Sequence, residues 1–138
     1  MRSVTATTQS LCTVGLLVAA GLGLTGCVPE AGGYAALDRP AEARDQLPAG
    51  LPGYAAQNYD LESARLVAED DGRQLYLLRN AERVVCLLVY SDPGEWFSGC
   101  GGDHFKLASS TVAYEVWADG HAPVDTGVQL SPNVYARG

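Results

Sequence analysis

The chain has 138 residues, 47% of them hydrophobic and 18% charged, with sixteen glycines and seven prolines. That length holds one ordinary domain once targeting segments are set aside, and the many turn-formers favour short strands over long helices. Nine basic and sixteen acidic side chains give a formal charge of −7, which argues against a nucleic-acid partner and against electrostatic adhesion to anionic lipid.

Residues 1–26 read as a secretory signal peptide. Arg2 and the amino terminus supply the positive start, no charge follows between Ser3 and Pro29, and Leu11 to Ala20 forms an apolar stretch of the expected length. Glu30 comes after it, so the order of charges places Arg2 on the cytoplasmic side. Leu24-Thr25-Gly26-Cys27 resembles the lipobox of bacterial lipoproteins, an aliphatic residue and two small residues before cysteine. The resemblance implies cleavage before Cys27 and diacylglyceryl modification of its thiol. Palmitate-type chains would then hold the protein on the outer face of the cell membrane. Two chains are needed, since one gives only marginal binding. The competing reading is an uncleaved span over Leu11 to Val28, close to the roughly 18-residue threshold but poor in composition. Residues 27–138 keep eight basic and sixteen acidic side chains, a formal charge of −8.

Residues 27–58 read as a lipid-anchored tether rich in Pro, Gly and Ala. Asp38 to Leu47 is expected to form one short helix, with Asp38 or Arg39 near its cap and Pro40 in its first turn, ended by Pro48. Pro48 to Pro52 is a turn or polyproline segment. Either the segment is a spacer, or Leu47, Leu51 and Tyr54 lie on the domain and cover a sheet face. The mixed expectation is free chain to about residue 36 and docked chain after it.

Residues 59–138 read as a β domain. Strands are expected at Arg65 to Glu69, Gln74 to Arg79, Arg83 to Tyr90, Glu95 to Gly99, Thr111 to Trp117 and Asn133 to Ala136, with turns at Asp70-Asp71-Gly72-Arg73, Asn80-Ala81-Glu82 and Asp92-Pro93-Gly94. The run RVVCLLVY is apolar on both faces, so it belongs at the centre with both faces covered. The fold class is mainly β: an antiparallel meander of five or six strands, as a half-barrel or a single curled sheet, with one short N-terminal helix. The expected core is Leu66, Leu75, Leu77, Val84, Cys86, Leu88, Phe97, Val112, Tyr114 and Val116.

Of four cysteines, Cys12 falls in the signal and Cys27 at the lipid site. Cys86 and Cys100 remain as an even pair in an oxidising compartment and are expected to form a disulfide. Their midpoint is Pro93. A three-residue loop at 92–94 sets Cys86 opposite Cys100, whereas a two-residue Pro93-Gly94 loop shifts the register by one unless a bulge restores it.

Other chemistry is sparse. His104 and His121, with Asp103 and Asp119 or Asp125, are the pieces from which a metal or hydrolytic site would be built, but their spacing matches no metal motif. The glycines at 99, 101 and 102 lack the Lys-Ser/Thr of a phosphate loop. No pairing among Asp92, Glu95, Asp103, Glu115 and Asp119 can be derived from spacing. Cofactors and metals are expected to be absent.

The lipobox, Leu37-Asp38-Arg39-Pro40, Asp45-Gln46-Leu47-Pro48, Ser63-Ala64-Arg65-Leu66-Val67, Val85-Cys86-Leu87-Leu88-Val89 and Gly99-Cys100-Gly101-Gly102 together look like small exported lipoproteins of high-GC Gram-positive bacteria. The resemblance implies an address and a disulfide but no mechanism. Two function classes follow. The first is a non-enzymatic envelope module that binds a protein or cell-wall component, a cationic one on charge grounds. The second is a small hydrolase or metal-dependent enzyme using His104, Asp103 and His121.

Overall fold

The computed structural model describes residues 33–125 and 127–138. The signal peptide and Cys27 lie outside the described residues. No helix among them is long and apolar enough to cross a membrane.

The mainly β, antiparallel architecture is present, as eight strands in two sheets of four. The first sheet is a meander of β1 (Tyr59–Asp70), β2 (Arg73–Asn80), β3 (Val85–Asp92) and β4 (Glu95–Gly101), each paired with the next. Its first turn is a tight two-residue link. Asp71 and Gly72 both take positive φ (48° and 77°), which matches the right-handed twist of the flanking strands. The second sheet holds β5 (His104–Ala108), β6 (Ala113–Trp117), β7 (Val128–Gln129) and β8 (Val134–Arg137) in the order β5-β6-β8-β7.

Two glycines explain how β5 comes to lie over β4. A Cβ on Gly101 would sit 2.5 Å from the Phe105 side chain, and one on Gly99 would sit 2.8 Å from Leu107. Both glycines are strand residues of β4, whereas sequence reading ends that strand at Gly99 and leaves Gly101 outside it. Their missing side chains make room for the inward residues of β5.

Between the sheets, Leu75, Leu77, Val85, Leu87 and Val89 pack with Tyr114, Val116 and Val134. On the other face of the first sheet, Tyr76, Leu78, Cys86, Leu88 and Tyr90 are covered by Leu47, Leu51 and Trp96. Strand β3 is therefore buried on both faces, as its apolar run requires. Of the expected core, Leu75, Leu77, Cys86, Leu88, Tyr114 and Val116 are buried, while Leu66, Val84, Phe97 and Val112 are partly buried.

The segment before β1 is docked earlier than expected. Tyr34 and Leu37 are already buried in the intersheet core. The Asp119 amide donates to the Gly33 carbonyl (2.8 Å), and the Ala35 amide donates to Asp119 Oδ2 (2.6 Å). Of the helix expected over 38–47 only a single 3-10 turn at Ala43–Asp45 forms; α1 (Ala35–Asp38) ends where that helix is expected to begin, and α2 (Ala55–Asn58) follows outside it. Arg39 precedes Pro40 and is extended (φ −70°, ψ 151°), because the proline ring disfavours helix at the residue before it. Asp45 then turns inward: it caps the 3-10 turn by accepting from the Glu42 amide (2.8 Å) and reaches β1 by accepting from the Leu66 amide (2.8 Å).

Arg39 grips Asp45 with two hydrogen bonds of 2.6 Å each. Arg65 donates to the Arg39 carbonyl through Nε (3.0 Å) and Nη2 (2.9 Å). At this point of β1 the Leu66 amide is satisfied by a side chain and is not free to pair with a further strand.

Candidate binding cleft and the residues named from sequence

Three turns meet at one end of the molecule and enclose a cleft of about 800 Å³. The β1–β2 turn contributes Asp71 and Arg73. The β3–β4 turn contributes Asp92, Glu95, Trp96 and Phe97. The β5–β6 turn contributes Ser109, Ser110, Thr111 and Val112. Ser109 shapes the last turn, its Oγ accepting from the Thr111 and Val112 amides at 3.3 Å each.

Three carboxylates, Asp71, Asp92 and Glu95, line the cleft with one cation, Arg73. Arg73 is shared between Asp71 and Asp70, which lies outside the cleft lining, at 3.7 Å from each, while Asp92 and Glu95 have no ion-pair partner among the described residues. Tyr114 ties the second sheet to this end by donating to Asp70 Oδ2 (2.7 Å). Burial, then the hydrogen bond to Asp70, pushes its phenol up to about 12. Trp96 carries Tyr54 against it, ring centroids 5.8 Å apart, and Tyr54 remains exposed. The cleft thus offers negative charge, hydroxyls and an aromatic ring, the set that receives an organic cation.

The opposite end of the same strands receives the chain from the amino-terminal side. Gly33 and Tyr34 share a hollow of about 260 Å³ with Arg79, Val85, Gly101 and Gly102. Strand β3 runs from Val85 at that end to Ser91 at the cleft, roughly 20 Å at the usual strand rise.

Cys86 and Cys100 are bonded and stand directly opposite in the β3–β4 ladder. Of the two ways to reach that register, the bulged one occurs. Asp92 pairs with Glu95 across a two-residue Pro93-Gly94 turn, and a shift between Tyr90 and Asp92 leaves Ser91 unpaired and restores the register.

His104, Asp103 and His121 are not brought into one hydrogen-bonded group. β5–β6 pairing sets His104 opposite Trp117, stacked on it with centroids 3.8 Å apart. Its Nε2 lies 2.6 Å from Oε1 of Glu115, a carboxylate whose side chain is only 4% exposed. Arg137 Nε approaches the other oxygen of Glu115 at 3.3 Å and also grips Asp125. Asp103 uses its carbonyl to accept from the Ala118 amide (2.8 Å), and the His121 amide donates to the Ala118 carbonyl (3.1 Å). Among the described residues, no group of three or more His, Cys, Asp or Glu is placed to hold a metal ion. The partner of His104 is therefore Glu115, eleven positions away, which strand register determines and linear spacing does not. Asp119, the other carboxylate considered for a site, is buried and tied to the Ala35 amide and Asn133 Nδ2.

Fold and site together define a mainly β domain of two antiparallel sheets with an acidic cleft at one end. No protein-family model, no curated protein and no solved structure matches the chain.

Proposed function

We propose that this chain is a membrane-anchored extracytoplasmic lipoprotein whose folded part is a non-enzymatic binding module. It takes a protein or cell-wall component, cationic in character, at the cleft. One observation carries the reading: the cleft and Gly33 stand at opposite ends of β2, β3 and β4. A chain held at Cys27, six residues before Gly33, then keeps the Gly33 end within about 20 Å of the lipid and directs the cleft outward. His104, Asp103 and His121 form no hydrogen-bonded group with one another, which favours the binding role over the hydrolase reading built on those three residues.

The test has two arms. A photocrosslinking residue at Ser110, inside the cleft, is expected to capture a partner in intact envelopes, while one at Glu82, at the other end, captures none. The pair Asp92→Lys and Glu95→Lys is expected to abolish the Ser110 adduct. In the second arm, Cys27→Ala moves the protein out of the membrane fraction. Equal adducts from both positions sink the cleft, and a Cys27→Ala protein that stays in the membrane sinks the anchor.

A further inference from the structure

The two ends of the disulfide differ in exposure. Cys86 is fully buried (0% exposed), packed among Tyr76, Leu78 and Leu88. Cys100 is exposed and lines a separate cleft of about 270 Å³ with Asn58, Tyr59, Asn80, Ala81 and Glu82. A thiolate opens a disulfide by attacking one sulfur in line with the bond, so access decides which sulfur is taken.

We propose that Cys100 is a thiol-exchange site, with a small neutral or cationic thiol as co-substrate and Cys86 as the leaving and returning sulfur. An incoming thiolate attacks Sγ of Cys100. The new sulfur–sulfur bond forms as the Cys86–Cys100 bond breaks, and the electron pair goes to Sγ of Cys86. That sulfur takes one proton from solvent. The Val84 carbonyl oxygen already stands 3.6 Å from Cys86 Sγ and accepts the new S–H. One disulfide has been exchanged for another, with no net oxidation. The rest of the β3–β4 ladder and both cores remain, so the domain stays folded through the exchange. On reversal Cys86, still opposite Cys100, gives up that proton and its thiolate attacks Cys100 Sγ; the mixed disulfide breaks, its electron pair goes to the sulfur of the small thiol, and that thiolate takes the proton and leaves. Glu82 on the cleft disfavours an anionic thiol and sets the charge preference.

The experiment uses the full chain in detergent, its free thiols first blocked with N-ethylmaleimide. It is treated with cysteamine or 2-mercaptoethanesulfonate at equal thiolate concentration, quenched in acid and mapped by peptide mass spectrometry. The adduct is expected on Cys100 over Cys86 by about tenfold or more, from the difference in access. Cysteamine is expected to outpace the sulfonate, with the gap narrowing in Glu82→Gln at low salt. Equal adducts on both cysteines, or cleavage only after denaturant, overturns the site. An unchanged gap in Glu82→Gln overturns the charge selection. Single variants give an independent check. In Cys86→Ala the Cys100 thiol should react with Ellman's reagent without denaturant, and in Cys100→Ala the Cys86 thiol should not. Equal reactivity of the two overturns the proposal.

Discussion

Asp45 shows how one side chain can redirect a segment. Its carboxylate is buried and accepts from Arg39 and two backbone amides, so its pKa is held well below the usual carboxylate range, chiefly by the Arg39 hydrogen bonds. Asp45→Ala leaves the Leu66 and Glu42 amides and the Arg39 guanidinium without their acceptor. Leaving such donors without their acceptor costs about 1–3 kcal/mol, which urea unfolding would measure. The pH dependence has a definite sign. A depressed folded pKa contributes stability that is fully present above the unfolded value of about 4 and is lost as pH falls below it. The Tm of the native chain is therefore expected to drop below about pH 4, and Asp45→Asn is expected to flatten that drop. Equal acid sensitivity in both proteins would show that other carboxylates dominate.

At the scale of elements, β3 and β4 carry the most information. The both-face apolar run predicts a central strand, and that strand is central. The Cys86–Cys100 bond closes a loop of sequence separation 14 within this hairpin. On the chain-entropy model such a loop contributes about 3 kcal/mol. The double variant Cys86→Ala/Cys100→Ala is expected to lose that much in denaturant unfolding yet remain folded, because the ladder and both cores persist. A loss of all tertiary signal would mean that the bridge is required for folding. The helix over 38–47 fails for one local and one tertiary reason. Pro40 restricts Arg39, and the Asp45 carboxylate is drawn inward to Arg39 and to the Leu66 amide of β1. The first effect is legible in sequence. The second depends on β1 arriving alongside, which no window of sequence contains.

The whole molecule is held across its layers by two buried phenols. Tyr34 donates to the Gly102 carbonyl (2.8 Å) and Tyr114 donates to Asp70, and burial pushes both phenols up to about 12. A raised folded pKa contributes stability that is fully present below the unfolded value of about 10 and is lost as pH rises from there towards 12. Alkaline unfolding is expected in that window, monitored by circular dichroism against tyrosinate absorbance at each pH. Tyr34→Phe and Tyr114→Phe are expected to be less stable at neutral pH but to lose less between pH 10 and 12. If they fall as steeply as the native chain, other groups drive the transition.

Six of the eight strands, the central place of β3, the tight turn at Asp71-Gly72 and the pairing of Cys86 with Cys100 follow from the sequence by itself, because each rests on local periodicity, turn chemistry or counting, whereas β5, β7 and the first half of β1 carry no such local signal. Only the tertiary structure decides that the strands divide into two sheets, that Tyr34 belongs to the core, that His104 meets Glu115, and that Asp71, Asp92 and Glu95 share one cleft. These depend on which distant segments lie side by side. Phe105 and Leu107 folding over Gly101 and Gly99 is a contact of packing, set by the space two absent side chains leave.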